Sequence, residues 1–278
     1  MKKFNLFSLA VAGMLALCVF GCQKKEAATT ADTKQDEISA TVKSQISSLG
    51  FSTENARKVA GGYLVEGDIL LSEANLTEKA ETTHLSVAST EQYRTTNLVK
   101  ALPRVITISV TNLPAVYSNA VNAMITRYNN LGLRFTFQRA AAGTTGQINV
   151  VGFNEGPSGG YITLGSSGFP TASGNPYSEI QMNTNAAAYG ANPNLGYLTS
   201  VLQHEVGHCI GFRHTDYSNR AYSCGGTAVN EGASGVGAIL IPGTPSAPDA
   251  ASFMLACSNG GDRTFNANDV KAINYLYK

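Results

Sequence analysis

The run from His204 to His214 follows the pattern His-Glu-x-x-His-x-x-Gly-x-x-His, and it constrains the local fold more than any other feature of this 278-residue chain. Residues four apart lie on one face of an α-helix, so His204 and His208 can direct two imidazole nitrogens at one zinc ion at roughly 2.0–2.1 Å. Gly211 accepts the positive φ that ends a helix and turns the chain back. This turn would bring His214 to the same ion, so we expect a helix, a tight turn and a three-histidine zinc site.

Glu205 follows the first of these histidines and predicts chemistry at the metal. Three neutral imidazoles leave a fourth position for water, whose pKa a zinc ion lowers towards neutrality. Glu205 would take the proton of that water as it attacks a polarised carbonyl group, acting as a general base. The residues therefore predict hydrolysis of a peptide bond. His84, the fourth histidine of the chain, is expected to be an ordinary polar residue.

The motif resembles the signature of the metzincin clan of zinc endopeptidases, in which a methionine-containing turn lies under the metal. Residues 252–255 resemble that turn, which would place Met254 beneath the histidines as a packing residue. Residues 207–216 look most like the bacterial group called dual-action HEIGH metallopeptidases, with valine in the middle of the motif where that group has isoleucine. Astacins have a metal-binding tyrosine two residues after the methionine, and Ala256 excludes such a ligand here. The resemblance implies an α+β, zincin-like catalytic domain with a twisted mixed sheet, an active-site helix and a C-terminal helix.

The run Glu66-Gly67-Asp68-Ile69 resembles the propeptide motif of astacins. That resemblance implies that the Asp68 carboxylate occupies the open zinc position and keeps the enzyme latent, since carboxylate oxygen is a good zinc ligand. The alternative is that Asp68 is an ordinary turn residue between two strands.

The N-terminus predicts export. Lys2 and Lys3 precede an apolar run at residues 4–20, which is typical of a signal peptide and short for a membrane span. Gly21-Cys22 resembles a bacterial lipobox, which implies a signal peptide at residues 1–21 and lipidation of Cys22; a plain signal peptide is the alternative. Gln23 is not the aspartate that retains a lipoprotein in the inner membrane, so we expect an outer-membrane or surface protein.

Composition defines the remaining domains and excludes one class of partner. Residues 22–37 have no apolar periodicity and are expected to be a flexible tether. Residues 38–100 are expected to form a prosegment-like region, and residues 101–278 the catalytic domain. Loss of residues 1–21 lowers the formal net charge from +1 to −1, which speaks against nucleic-acid binding.

Local patterns predict several elements of the catalytic domain. Strands are expected at 104–110, 134–139 and 147–153, a helix at 114–131, and a strand at 177–183 that forms the edge of the sheet above the cleft. The C-terminal helix would be capped by Asn268 or Asp269. Glycine-rich regions at 152–176 and 224–262 would frame the substrate cleft. No full calcium-loop signature is present, so structural calcium stays open.

Three cysteines remain in the exported chain. An odd count in an oxidising compartment predicts one disulfide and one leftover thiol. We favour the pair Cys224 and Cys257, while Cys209, on the motif helix, stays open as a partner. A thiolate zinc ligand is less favoured because three histidines already complete the set.

These features predict a lipid-anchored, monomeric zinc endopeptidase that acts on protein or peptide substrates. One alternative is a surface zinc-binding or adhesive lipoprotein without turnover, and another is a metallohydrolase for small or glycan-linked amides. Cleavage specificity is not predicted, because residues 215–253, expected to form part of the pocket wall, mix small and apolar residues without a decisive charge.

Overall fold

A computed structural model describes residues 38–77, 92–158, 160–233, 235–245 and 249–278. The predicted signal peptide, Cys22, the tether and His84 lie outside these residues. Within the described ranges, no helix is both long and apolar enough to span a membrane. The helices are α1 Ala40–Ser48, α2 Glu73–Thr77, α3 Ala115–Asn129, α4 Ala186–Tyr189, α5 Leu195–Cys209, α6 Ala221–Cys224 and α7 Ala267–Tyr277. The strands are β1 Arg57–Val59, β2 Gly62–Val65, β3 Ile69–Leu71, β4 Tyr93–Arg94, β5 Arg104–Val110, β6 Phe135–Arg139, β7 Ile148–Phe153, β8 Gly165–Ser166, β9 Glu179–Asn183 and β10 Ile239–Leu240.

A five-stranded mixed sheet in the order β6-β5-β7-β9-β8 forms the frame of the fold. Only β8 pairs antiparallel to its neighbour. Strand β6 shows why these segments are strands, because Phe135 and Phe137 are buried and the residues between and after them are exposed. Helix α3 buries Tyr117, Val121 and Met124, at helical spacing, against this sheet and α5. The predicted α+β class, with a mixed sheet, an active-site helix and a C-terminal helix, is confirmed.

The predicted edge strand was wrong. Strand β9 pairs on both sides, with β7 and with β8, so Gly165–Ser166 is the edge of the sheet. This edge strand has two residues and lies inside a glycine-rich segment, where period-2 alternation cannot be recognised.

The C-terminal helix α7 begins at Ala267, which comes before both of its predicted caps. Its N-cap is Asn266, whose side chain accepts hydrogen bonds from the backbone N–H groups of Asn268 and Asp269. The Asp269 carboxylate accepts from the backbone N–H of Asn266 in return, which completes a capping box. Asp269 therefore occupies the third helical position, and the prediction of Asn268 or Asp269 as the cap was wrong.

The N-terminal region packs a small apolar cluster of its own, which includes Ile46, Phe51 and Ile69 and contacts Phe169. Residues 62–65 and 69–71 form two antiparallel strands, β2 and β3. The turn between them takes positive φ at Glu66 (53°) and Gly67 (89°). We call residues 62–71 the hairpin.

The hairpin extends the edge of the main sheet. The backbone N–H of Ser167 donates to the carbonyl oxygen of Asp68 at 2.9 Å, and the N–H of Leu70 donates to the carbonyl oxygen of Ser167 at 2.8 Å. The turn of the hairpin therefore lies where the edge strand β8 ends, next to helix α5.

The chain just before residue 101 contacts the C-terminal part of the protein. Strand β4 pairs antiparallel with β10, and the Gln92 side chain donates to the Asp269 carboxylate at 2.7 Å. The boundary between prosegment-like region and catalytic domain at residue 101 stays a prediction, and a shortened chain that keeps residues 92–100 would preserve these contacts.

Candidate metal centre

Helix α5 and the turn after it position the three histidines. Helix α5 is capped by Asn194, whose side chain accepts from the N–H of Tyr197 at 3.0 Å, and ends at Cys209. Gly211 then has φ of 109°, and an added Cβ there would lie 2.7 Å from the Leu98 side chain. The turn therefore requires glycine both for its backbone conformation and for space.

Four candidate ligand atoms converge at this turn. The Nε2 atom of His208 lies 3.0 Å from Nε2 of His204 and 3.2 Å from Nε2 of His214. The Oδ2 atom of Asp68 lies 3.0 Å from Nε2 of His214 and 3.3 Å from Nε2 of His204. Ligands at about 2.0–2.1 Å from a tetrahedral ion would be about 3.3–3.4 Å apart. The four atoms therefore have nearly the mutual spacing of ligands around a single ion.

The second nitrogen of each imidazole shows which atom faces the centre. Nδ1 of His204 lies 2.9 Å from the carbonyl oxygen of Phe253, and Nδ1 of His208 lies 2.8 Å from that of Phe212. A carbonyl oxygen only accepts, so each Nδ1 carries the proton and each neutral Nε2 directs a lone pair at the other. Burial, together with His204 and His214 nearby, lowers the pKa of His208 well below its usual value. Lone pairs facing each other at this distance repel unless a cation lies between them, so the donor set fits a metal ion.

Glu231 holds the third imidazole. Its buried carboxylate lies 2.8 and 3.1 Å from Nδ1 of His214. The same carboxylate lies 3.4 Å from the Arg220 guanidinium and 3.7 Å from that of Arg213. A carboxylate behind a metal-binding histidine fixes its ring and raises its basicity. No sequence pattern singled out Glu231, because it lies in a glycine-rich segment and meets His214 only through the fold.

Glu205 lies buried between the histidines and the edge strand. Its Oε2 atom accepts a hydrogen bond from the Ser167 hydroxyl at 2.8 Å. Burial and the nearby Asp68 carboxylate raise the pKa of Glu205 well above its usual value, although the Ser167 hydrogen bond opposes this. An added Cβ on Gly165 would lie 2.8 Å from Oε1 of Glu205, so this strand approaches the carboxylate closely because it has no side chain there. No sequence pattern predicted a role for Ser167.

Arginines of the catalytic region hold the turn of the hairpin. The buried Glu66 carboxylate lies 3.2 Å from the Arg213 guanidinium, which is itself buried. The Arg220 side chain donates to the carbonyl oxygen of Glu66. Both contacts are made by Glu66, two residues before Asp68, and they hold the turn that carries the Asp68 carboxylate next to His204 and His214.

The remaining predicted site residues lie around this centre. Met254 is buried below helix α5, and an added Cβ on Gly207 would lie 2.5 Å from its sulfur. The sulfur atoms of Cys224 and Cys257 lie 2.11 Å apart, with Cα atoms 5.1 Å apart, which is disulfide geometry. Cys209 is a buried free thiol.

The fold and the centre together define a metallopeptidase. A family model described as dual-action HEIGH metallo-peptidase matches residues 63–277, so the chain belongs to that family. As a metallopeptidase, the chain acts on protein or peptide substrates. The match includes residues 63–71 of the hairpin as well as the His-Glu-x-x-His helix.

Solved structures give more distant comparisons. The structure of myroilysin is 16% identical with a TM-score of 0.44, and the match covers 66% of this chain and 98% of that one. High choriolytic enzyme 1, a hatching enzyme zinc-protease from the medaka fish Oryzias latipes, is 14% identical with a TM-score of 0.37, and the match covers 70% of this chain and 98% of that one. No curated protein matches the chain.

Proposed function

We propose that this chain is an exported zinc endopeptidase in which His204, His208 and His214 bind the metal and Glu205 is the general base. The observation that carries the proposal is the convergence of three imidazole Nε2 atoms beside a buried carboxylate. Three imidazoles with one further oxygen position are typical of catalytic zinc sites. Bound there, zinc would lower the pKa of a water molecule and polarise the substrate carbonyl.

The chain's own residues then supply the proton transfer and the alignment. Glu205 would accept the proton of the attacking water and pass it to the amine nitrogen that leaves. The Ser167 hydroxyl, 2.8 Å from Oε2, would keep that carboxylate oriented. An extended substrate would pair with the edge strand β8, main chain to main chain, which aligns its scissile bond with the centre. Met254 would support the histidines from below as a packing residue.

We also propose that the hairpin keeps the enzyme latent through Asp68. The proposal is supported by the 3.0 Å distance between Oδ2 and Nε2 of His214, because this oxygen takes the position that water needs. The hairpin also pairs with Ser167 at the edge where substrate would pair. One segment would therefore block both the metal and the substrate site.

Latency predicts the effect of Asp68→Ala on the full chain. Loss of one charged contact worth about 1.5–3 kcal/mol would favour the open form by about 10–150-fold, since 1.4 kcal/mol corresponds to a factor of ten. Zinc-dependent cleavage of a quenched peptide library should therefore rise by at least about tenfold. Glu179→Ala, a partly exposed residue of strand β9 whose carboxylate contacts Gln181 outside the hairpin, is the control and should leave cleavage unchanged. An Asp68→Ala chain no more active than the wild type would remove the latency proposal.

A zinc-binding lipoprotein without turnover is the second candidate, and one observation favours it. Asp68 completes a closed set of four ligand atoms, as in structural zinc sites. Such a site has no use for Glu205. The two candidates separate if the Asp68→Ala chain binds one equivalent of zinc by elemental analysis and is then tested for cleavage.

The proposal includes an envelope location. Cys22 would carry the lipid anchor, which places a monomeric enzyme on the outer membrane or cell surface, and Cys224 and Cys257 would form its disulfide. Fatty-acid labelling of the expressed chain, lost on Cys22→Ser, tests the anchor. Labelling that persists in that variant would contradict it.

A further inference from the structure

Strand β1, which pairs with the hairpin, places an arginine on the segment that leads to the edge strand β8. Nη1 of Arg57 lies 2.5 Å from Oε1 of Glu155, and Nη2 lies 2.8 Å from Oε2. Nη2 also donates to the Thr163 hydroxyl at 3.3 Å. Two parallel bonds between a planar guanidinium and a carboxylate are a specific mode of recognition. Glu155 and Thr163 therefore already bind a basic side chain in the latent chain.

One buried side chain holds both of these residues in place. Oδ1 of Asn183, the last residue of β9, accepts from the backbone N–H of Glu155 at 3.2 Å. Its Nδ2 donates to the carbonyl oxygens of Glu155 and Thr163, each at 2.8 Å. Asn183 is fully buried. Because these bonds lie within residues 155–183, they do not depend on the hairpin, and the two residues keep their places if the hairpin leaves.

The position of Thr163 relates this pair to the reaction. Thr163 comes two residues before Gly165, the strand residue that lies against the Glu205 carboxylate. Two residues of extended chain span about 6.6 Å. Thr163 also lines the same cavity, of about 410 Å³, as Glu205. The pair therefore lies beside the reaction centre, about two substrate residues away.

The role of Glu205 decides which part of a substrate passes this pair. Glu205 would give its proton to the nitrogen of the bond that breaks, so the residues after that bond run on the Glu205 side of the centre. The cavity is on this side, since Glu205 lines it. A substrate paired with β8 would therefore bring the second or third residue after the scissile bond to Thr163.

The Glu155 carboxylate would lose its cation when the hairpin is displaced. Among the residues that the structure describes, Arg57 is the one cation within 4.0 Å of it. The Glu155 side chain is 38% exposed even with Arg57 in place, so a substrate can reach it. The carboxylates of Glu205 and Glu231, which also line the cavity, are engaged by Ser167 and His214. Glu155 is thus the carboxylate that opening of the latent form would make available.

We propose that Glu155, with the Thr163 hydroxyl, is a specificity-determining subsite for a basic side chain at the second or third residue after the scissile bond. Arg57 occupies this subsite in the latent chain as a substrate side chain would in the open one. The inference rests on the proposed function and names a substrate preference for it.

The test uses the full chain carrying Asp68→Ala and loaded with zinc. A peptide library first yields one cleaved sequence, and each of the three residues after its scissile bond is then set in turn to Arg, Lys, Gln or Glu. We expect kcat/KM with Arg at the second or third position to exceed that with Gln by about 5–50-fold, between the value of an exposed ion pair and that of a buried charged contact. Lys should gain less, because its ammonium group lacks the planar fork that matches a carboxylate.

Variants of Glu155 assign the preference to this residue. Glu155→Gln should abolish the Arg-to-Gln ratio, and Glu155→Arg should reverse the preference in favour of the Glu peptide. Both variants also lose the bond to Arg57 and so loosen the hairpin. The ratio compares two substrates on one chain, so the fraction of open chains cancels.

The controls separate specificity from folding. Glu179→Gln changes a partly exposed carboxylate that contacts Gln181, and it should keep the ratio. Zinc stoichiometry and thermal midpoint are measured for each variant, and Glu155→Asp, which keeps the charge, should retain part of the Arg preference where another variant does not fold.

The outcomes distinguish this inference from the proposed function. Equal cleavage of the Arg and Gln peptides at every position by the Asp68→Ala chain would overturn the inference and leave the proposed function standing. An Arg preference that survives Glu155→Gln, or one confined to the first position, would also overturn it. A zinc-loaded chain that cuts no peptide would overturn both.

Discussion

Replacing Glu231 with glutamine is expected to weaken zinc binding although no proposed metal ligand is changed. The Glu231 carboxylate lies 2.8 Å from Nδ1 of His214 and is fully buried. Glutamine keeps one carbonyl oxygen that can accept from Nδ1 but removes the negative charge. The imidazole then becomes a weaker donor to a cation, because the carboxylate no longer polarises the ring.

The magnitude follows from what surrounds the carboxylate. Loss of such a partner behind a metal-binding histidine typically lowers metal affinity by about 10–100-fold, or about 1.4–2.7 kcal/mol. A second cost falls on the apoprotein, since Arg213 and Arg220 share the same carboxylate at 3.7 and 3.4 Å. Breaking a buried ion pair costs about 3–5 kcal/mol, towards the lower end here because Arg213 keeps Glu66 at 3.2 Å.

Zinc affinity is measured by competition with a chromophoric chelator, at a temperature where each apoprotein is folded by circular dichroism. Glu179→Gln is the matched control, because Glu179 is partly exposed on strand β9 and its carboxylate accepts a hydrogen bond from the Gln181 side chain. The control should bind zinc as the wild type does. A Glu231→Gln chain whose zinc Kd is within twofold of the wild type would refute the assigned role of this carboxylate.

Two further predictions concern the packing beneath the centre. The Asp269 carboxylate accepts four hydrogen bonds, so Asp269→Asn should lower the free energy of unfolding by about 2 kcal/mol at pH 7. Burial raises the pKa of Asp269 to about 6, although these hydrogen bonds oppose the shift. Between about pH 4 and pH 6 the folded state therefore holds a proton on this carboxyl group that the unfolded state has lost. The contribution of Asp269 to stability falls as the pH rises through that window. The difference between variant and wild type, from urea denaturation, should therefore be larger at pH 5 than at pH 7, and the opposite trend would contradict the assignment. Gly207→Ala should displace the methionine turn, since its Cβ would lie 2.5 Å from the Met254 sulfur, and should cost about 1–3 kcal/mol by thermal unfolding with weaker zinc binding. Gly156→Ala, whose Cβ would meet no atom within 4 Å, is its control, and equal losses for the two variants would contradict the packing role.

Local chemistry explains what the sequence could predict. The spacing of His204, His208 and His214, with Gly211 between, decides helix, turn and convergence within eleven residues. Strand β5 was predicted with its observed bounds because the buried Ile106 and Ile108 alternate with the less buried Val105 and Thr107. Such features need only the geometry of a helix or a strand.

Long-range contacts explain what the sequence could not predict. Glu231 and Ser167 come from irregular or glycine-rich segments, and their partners lie 17 and 38 residues away in the chain. No periodicity links such pairs. The edge strand β8 has only two residues, so its position follows from pairing with β9 and from no pattern of its own. Asp68, 146 residues before His214, was assigned from a short resemblance, and its proximity to the histidines depends on the hairpin.

Hydrolysis by a metal-bound water with Glu205 as base is tested most directly by one comparison of cleavage rates. The full chain with Asp68→Ala and the same chain with Glu205→Gln added are each loaded with one equivalent of zinc and given the same peptides. We predict equal zinc binding, cleavage by the first chain that chelator abolishes and zinc restores, and a rate about 10²–10⁴-fold lower for the second, the usual contribution of a general base. Equal rates for the two zinc-loaded chains would contradict the account, as would a folded, zinc-loaded Asp68→Ala chain that cuts no peptide.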